Sequence, residues 1–183
     1  LISGLSNKVD NNNQTIIFGQ SNDVSNNNTN SLISGLSNKI TNSQQIFTSG
    51  NDNTSKNSNN SLISGLSNIV HNSNQNAVFG QSNDVSNNTI NSLISGKGNK
   101  VNESKQIFVT GNTNTSKKNE NIIISGQLNT INDSLNNNVI GKSNNIGNNE
   151  NSIISGLSNK SYDSSQNAVF GQSNDVSNNT INS

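Results

Sequence analysis

The chain has 183 residues, of which 26% are hydrophobic and 3% aromatic, and its ten lysines balance ten acidic residues at zero net charge. A chain so poor in apolar residues is not expected to fold as an ordinary globular domain, and it offers no basic patch for nucleic acid or a membrane surface. It has no cysteine and no long apolar run, so we expect no disulfide, no thiolate metal site and no direct membrane insertion of this segment.

Glycine marks a repeat of 15 or 16 residues that runs through the whole chain. An Asn stands three residues after each repeat glycine, and Ile, Val or Thr stands two residues before it. A second apolar residue follows five positions after most of them, and serine replaces it at Ser55, Ser116 and Ser161. Stacked copies of one short unit can share a thin core, so such a chain can fold as a solenoid. The repeat glycines are Gly4, Gly19, Gly35, Gly50, Gly65, Gly80, Gly96, Gly111, Gly126, Gly141, Gly156 and Gly171.

Each repeat predicts one coil with two short parallel-stacking β-strands, a tight corner from the glycine to the Asn, and a polar loop. Alternating β-branched residues favour strands, and both Gly and Asn accept positive φ at a corner. We interpret the recurring Asn as a structural ladder of stacked amides, with a polar binding strip as the alternative. The residues two before the glycine are predicted to be buried; they are Ile2, Ile17, Ile33, Ile63, Val78, Ile94, Val109, Ile124, Val139, Ile154 and Val169.

The chain is predicted to be a single β-solenoid domain, residues 1–183, with twelve coils in six double repeats. The double repeats are 1–31, 32–61, 62–92, 93–122, 123–152 and 153–183. Two spacings, Gly19 to Gly35 and Gly80 to Gly96, contain 16 residues. The extra residue is predicted to lie in the polar loop near Asn28 and Thr89, so that strand pairing continues past it.

Large apolar residues recur on the outer face of the first strand of the coils. They stand at odd offsets from the inward position, so they cannot belong to the chain's own core. A row of this kind needs a partner, and the simplest partner is another copy of the chain. We call these residues the apolar stripe and predict that they form the interface between copies: Phe18, Leu32, Phe47, Leu62, Phe79, Leu93, Phe108, Ile123, Ile140, Ile153 and Phe170.

Several runs resemble the head repeats of YadA-like trimeric autotransporter adhesins. They are Asn-Ser-Leu-Ile-Ser-Gly, Asn-Ala-Val-Phe-Gly-Gln-Ser-Asn-Asp-Val and Asn-Ser-Ile-Ile-Ser-Gly-Leu-Ser-Asn-Lys. The resemblance covers the whole chain and implies an all-β, left-handed parallel β-roll with three chains around a central axis, so that the stripe is a trimer interface. Two features depart from the family pattern: Ile or Val stands inside where many members have Ala, and the repeat is slightly longer.

The same resemblance implies a location and a partner. It implies display on the cell surface of a Gram-negative bacterium, anchored in the outer membrane through segments that this sequence does not contain. The composition, rich in Asn, Ile and Lys, is similar to that of fusobacterial members, some of which bind carcinoembryonic-antigen-related cell adhesion molecules. The implied partner is therefore a host cell-surface protein, such as one of these molecules, or the extracellular matrix.

His71 and Tyr162 are the only histidine and tyrosine, and both stand six residues after a repeat glycine. They are predicted to project from the same edge, six coils apart, as candidate receptor contacts; the alternative is that they are ordinary exposed side chains. A lone histidine without a nucleophile elbow predicts no catalytic residue and no enzyme. Without the G-G-x-G-x-D calcium repeat we expect no metal site, and nothing in the sequence suggests a cofactor.

Two alternatives to an adhesin head stay open at this point. The first is a passive structural or ice-binding β-solenoid, although ice binding favours a regular Thr array and the threonines here stand at scattered offsets. The second is a disordered, Asn-rich segment, which would give a random-coil circular dichroism spectrum.

Overall fold

The computed structural model describes residues 1–177, and within that range the chain is all-β, with no helix. Each coil contributes one strand to each of two 12-stranded sheets, and every strand pairs in parallel with its equivalents in the adjacent coils. The chain is therefore a parallel β-solenoid of twelve turns, as the glycine repeat predicts.

The first sheet contains the strands that carry the repeat glycine, except β1, which ends one residue before it, and the second contains the three-residue strands that follow the Asn corner. The first sheet consists of β1 (Ile2–Ser3), β3 (Ile16–Gln20), β5 (Leu32–Leu36), β7 (Phe47–Asn51), β9 (Leu62–Leu66), β11 (Ala77–Gln81), β13 (Leu93–Lys97), β15 (Lys105–Asn112), β17 (Glu120–Gln127), β19 (Asn138–Lys142), β21 (Ile153–Leu157) and β23 (Ala168–Gln172). The second consists of β2 (Lys8–Asp10), β4 (Asp23–Ser25), β6 (Lys39–Thr41), β8 (Thr54–Lys56), β10 (Ile69–His71), β12 (Asp84–Ser86), β14 (Lys100–Asn102), β16 (Thr115–Lys117), β18 (Thr130–Asn132), β20 (Asn145–Gly147), β22 (Lys160–Tyr162) and β24 (Asp175–Ser177).

The segment predicted to be a polar loop is in fact a third ladder. Parallel bridges join one residue of this segment to its equivalent in the next coil, for example Asn59 to Asn74 and Asn74 to Ile90. Positive φ recurs two, seven and ten residues after the glycine in the 15-residue coils, as at Ser67, Asn72 and Gln75. Each coil thus turns at three corners. The two predicted strands of each coil are confirmed, whereas the expectation of an unpaired loop is wrong, because the loop backbone also pairs between coils.

The two 16-residue coils absorb their extra residue at one corner, as predicted. Where other coils have a single residue with positive φ, these have two in succession, Asn26 with Asn27 and Asn87 with Asn88. The bridges of the third ladder continue through Thr29 on both sides, so the stack is not interrupted.

The predicted core positions are confirmed with one exception. Ten of the eleven residues two before the glycine are buried, from Ile17 to Val169. Ile2 is instead 52% exposed, so that prediction is wrong. A core residue of a solenoid is covered by the coils on both sides of it, and the first coil pairs with only one neighbour.

The core is more polar than the sequence analysis expects. Within residues 1–177, 20 hydrophobic residues and 32 polar residues are buried, and none of the buried polar residues is charged. Two further inward positions, four before and eight after the glycine, explain the difference. They hold mostly Ser and Asn, with Ile46, Ile107 and Ile122 as the apolar members.

The Asn three residues after each glycine forms a hydrogen-bonded ladder along the stack. At Asn99, the Nδ2 atom donates to the carbonyl oxygens of Gly111 at 2.8 Å and Ser95 at 3.2 Å. Its Oδ1 accepts from the backbone N–H and the Nδ2 of Asn114 at 3.0 and 3.1 Å. The positive φ of this corner falls on the preceding residue, such as Gly98, so the Asn contributes its side chain and not an unusual backbone conformation.

The repeat glycines lie where the backbones of adjacent coils come closest. Gly96 has φ +123°, and a Cβ built on it would lie 1.9 Å from the carbonyl oxygen of Gly111. Such a conformation and such a contact leave room only for glycine. This explains why glycine occupies this position in all twelve coils.

Leu128 has φ +58° at a corner where eight other coils carry Ser. A left-handed conformation costs an L-residue roughly 1–2 kcal/mol, and Asn tolerates it better than Leu. We therefore expect Leu128→Asn to stabilise the protein by about 1 kcal/mol and to raise Tm by about 2–4 °C in a thermal melt. Leu66→Asn, at an exposed site without positive φ, is the matched control, and an equal rise there would show that backbone strain is not the cause.

Candidate interaction surface

The apolar stripe lies on the outer face of the first sheet. Its main row stands three residues before the repeat glycines, and strand pairing places its members side by side, as Leu32 beside Phe47 and Phe47 beside Leu62. None of the eleven predicted stripe residues is buried, and Phe47, for example, is 43% exposed. Ile16 occupies the same row beside Leu32 and is 39% exposed, so it belongs to the stripe although the sequence analysis omits it.

A second outward row, one residue before the glycines, compensates for small residues in the main row. Where the main row has Ala77, the second row has Phe79, and where it has Ala168, the second row has Phe170. Coils with Leu in the main row, such as that of Leu62, have Ser in the second. Nearly every coil therefore presents one large apolar side chain, which keeps the stripe continuous.

A row of carboxamides runs along one side of the stripe. In every coil from the second onward, Asn or Gln occupies the corner five residues before the glycine, with positive φ. Shallow depressions lie between this row and the stripe, one of them lined by Gln45, Phe47, Asn60 and Leu62. The row consists of Gln14, Asn30, Gln45, Asn60, Gln75, Asn91, Gln106, Asn121, Asn136, Asn151 and Gln166.

His71 and Tyr162 lie on the second sheet, away from the stripe. His71 ends β10 and Tyr162 ends β22, at equivalent positions six coils apart, and both are half-buried. In the ladder His71 stands between Lys56 and Ser86. The structure therefore places the two candidate receptor contacts on one face, and that face is not the one that carries the stripe.

Tyr162 packs on a glycine, a contact that the sequence analysis does not anticipate. Its ring lies over Gly147 in the adjacent coil, where an added Cβ would come within 2.7 Å of the ring carbons. Burial raises the pKa of the Tyr162 hydroxyl above its usual value, while a hydrogen bond with the Asn145 side chain opposes that shift. Gly147 lies outside the glycine repeat and accommodates this ring.

Charged residues gather at one corner of the third ladder. Lys105 of β15 lies opposite Glu120 of β17 in the parallel register. A shallow depression there is also lined by Glu103, Lys118 and Asp133. Opposite charges alternate from coil to coil, an arrangement in which neighbours stabilise one another modestly. Within residues 1–177 no three His, Cys, Asp or Glu side chains come together as a metal site would require. The same range has no helix that is long and apolar enough to cross a membrane.

Comparison with known proteins gives no family for this chain. No family model matches it, and no curated protein does. An Arabidopsis UDP-N-acetylglucosamine acyltransferase structure is 9% identical, with a TM-score of 0.22, over 88% of this chain and 61% of that chain. The structure of the polySia specific acetyltransferase NeuO is 13% identical, with a TM-score of 0.17, over 96% of this chain and 83% of that chain. TM-scores this low carry no argument about fold or activity.

The described surface is suited to binding an elongated partner. The stripe supplies apolar contact along the stack, and the carboxamide row supplies uncharged donors and acceptors beside it. From Phe18 to Phe170 the stripe extends over ten coil steps, roughly 48 Å at the spacing of β-strands. A partner that covers it must be extended to a similar length.

Proposed function

We propose that this chain is the head of a bacterial surface adhesin, in which three copies pack in parallel along the apolar stripe around one axis. The observation that carries the proposal is the unbroken run of large outward side chains on the first sheet, from Phe18 to Phe170. The proposed assembly is a trimer of left-handed β-rolls, displayed outside the outer membrane of a Gram-negative cell, in keeping with the resemblance to YadA-like heads.

A second and third copy are the partners that fit the stripe best. Another copy has the same length, the same spacing between coils and the same alternation of large and small residues. Burying a large apolar side chain contributes roughly 1.5–3 kcal/mol, and a row of such side chains left in water is an aggregation hazard. Burial of the stripe between copies can therefore offset the entropy lost on association.

The second sheet is the surface proposed for the host. It carries His71 and Tyr162, and it stays accessible when the first sheet is covered by other copies. The proposed partner is a host cell-surface protein, such as a carcinoembryonic-antigen-related cell adhesion molecule, or the extracellular matrix. A pull-down of host surface proteins with the recombinant assembly would identify it.

The trimer is tested by light scattering at micromolar concentration. We expect the unmodified chain to have three times its 19.4 kDa mass and Phe79→Asp to shift it to monomer, because each copy would bury an unpaired carboxylate. Asn112→Asp places the same charge on an exposed site outside the stripe and is the matched control; Tyr162→Ala should also leave the assembly intact. A stable monomer of the unmodified chain would refute the proposal.

A further inference from the structure

The coil that carries the fourth repeat glycine, residues 47–61, has an unusual interior. Among coils 2–12, as far as residue 177, it is the only one without a buried hydrophobic residue. Thr48 and Ser55 take the two inward positions that hold Ile or Val in most coils, and its other buried residues are Asn53, Ser58 and Ser61. Coil 4 is therefore a polar layer inside the stack.

The hydrophobic core is divided at this layer. The buried apolar side chains form two separate clusters, of which the first ends at Ile46, just before coil 4, and the second begins at Ile63 in coil 5. Because Ile46 belongs to the cluster of coils 2 and 3, the gap lies between coil 4 and coil 5. In a solenoid each coil contacts only its neighbours, so no distant part of the chain bridges this gap.

The polar groups of coil 4 do not replace the missing apolar contact. The Thr48 hydroxyl is buried and has no hydrogen-bond partner among the described residues. The hydroxyls of Ser55 and Ser43 are 3.4 Å apart, which is long for a hydrogen bond between hydroxyls. Buried polar groups without good partners destabilise their surroundings. Coils 4 and 5 are therefore joined mainly by hydrogen bonds, such as those that Asn53 Oδ1 accepts from the backbone N–H and the Nδ2 of Asn68, each at 3.0 Å.

We propose that the junction between coils 4 and 5 is a joint at which the folded stack opens first, separating coils 1–4 from coils 5–12 while both units stay folded. This inference goes beyond the proposed function and does not depend on it. Native proteins open in contiguous units, along the boundaries where few contacts cross. A load applied along the axis of the stack acts on every junction in series, so the weakest junction yields and the others stay closed.

Native-state hydrogen exchange, measured by NMR for individual amides, detects this opening. Three backbone N–H groups of coil 5 donate to carbonyl oxygens of coil 4, each at 2.9 Å, and three equivalent groups of coil 10 donate to coil 9 at 2.9–3.1 Å. We expect the coil 5 groups to be protected at least roughly tenfold less than those of coil 10, because fewer buried apolar contacts hold their junction closed. The coil 5 groups are those of Ser67, Asn72 and Gln75, and the coil 10 groups are those of Ser143, Asn148 and Asn151.

A second comparison distinguishes a joint from fraying at the first coil. The N–H groups of Asp52, Asn57 and Asn60 donate in the same way from coil 4 to coil 3, at 2.9–3.0 Å. Fraying from the first coil would expose these groups before those of coil 5. A joint between coils 4 and 5 leaves them closed, so we expect them to be better protected than the coil 5 groups. The reverse order, or equal protection in coils 5 and 10, would overturn the proposal.

Thr48→Val combined with Ser55→Val gives coil 4 the inward residues of the other coils and should close the joint. Protection of the coil 5 groups should rise at least roughly tenfold, because an unpaired buried hydroxyl and a gap in the core are both removed. Thr54→Val makes the same change on the outer face of the same strand, and this matched control should leave protection unchanged. An unchanged double variant, or an equal rise with Thr54→Val, would overturn the joint. If the double variant does not fold, the two comparisons within the unmodified chain still decide the question.

Discussion

Gly96→Ala is expected to destabilise the protein by on the order of 4 kcal/mol or more, one of the two largest effects that the structure predicts. The new Cβ would lie 1.9 Å from the carbonyl oxygen of Gly111, and the backbone at φ +123° cannot relieve this clash by a small adjustment. Coils 7 and 8 would have to separate. In a solenoid each coil is coupled only to its neighbours. The thermal unfolding curve of Gly96→Ala should therefore show two transitions, one for the coils before this contact and one for the coils after it.

Gly98→Ala is the matched control for this substitution. Gly98 has φ +66°, and a Cβ on it would meet only the Thr113 hydroxyl, at 3.7 Å. Other coils place Ser, Asp, Thr or Leu at this position, so the cost should be about 1 kcal/mol. Equal melting curves for the two variants would contradict the close contact between adjacent backbones.

Asn99→Ala should cost on the order of 4 kcal/mol, because it removes a buried side chain that satisfies several backbone groups. Without it, the N–H of Asn114 and the carbonyl of Gly111 lose their partners, and each buried unpaired group costs about 1–3 kcal/mol. Denaturant titration monitored by circular dichroism would measure this loss as a lower midpoint at an unchanged slope.

Asn112→Ala tests whether burial is the cause of that loss. Asn112 is exposed at the end of β15 in the adjacent coil, so its replacement should change the free energy of unfolding by no more than about 0.5 kcal/mol. If Asn99→Ala changed the free energy of unfolding equally little, the amide ladder would not contribute measurably to the stability of the fold.

Periodicity made much of this fold predictable. A glycine, an inward Ile or Val and an Asn at constant offsets specify a coil, and twelve repeats of those offsets specify a stack. Inward residues such as Ile63 and Val78 could be assigned because strand alternation leaves only one face for them. The exception, Ile2, shows that burial in a stack depends on the number of neighbouring coils as well as on the residue.

The third ladder could not be predicted from hydrophobicity. Its inward residues are mostly small and polar, as at Ser58 and Ser73, and hydrophobic patterning does not distinguish them from loop residues. The available signal was their recurrence: Ser, Thr or Asn stands at this position in coil after coil. Here hydrogen bonds between coils, and not transfer of apolar surface, determine which side chains turn inward.

The candidate surface was predictable in outline and not in its details. Large residues at odd offsets located the stripe, but Ile16 was overlooked because it shares its coil with Phe18. The burial of the Asn138 side-chain oxygen without a hydrogen-bond partner among the described residues is a detail that only coordinates reveal. The contact between Tyr162 and Gly147 is equally hidden, since the two residues stand 15 positions apart and meet only when the coils stack.

The alternation of the outer rows by double coils limits how the length of this protein can vary. Gln75–Ser92 and Gln166–Ser183 are identical in sequence and six coils apart, a whole number of double coils. The strands with Leu-Ile-Ser-Gly or Ile-Ile-Ser-Gly recur at every second coil, and inserting or deleting one coil would break this alternation at the junction. Inserting or deleting a double coil would change the reach of the molecule by about 10 Å and leave the pattern of its faces intact. The double coil is therefore the smallest unit of growth that preserves this alternation.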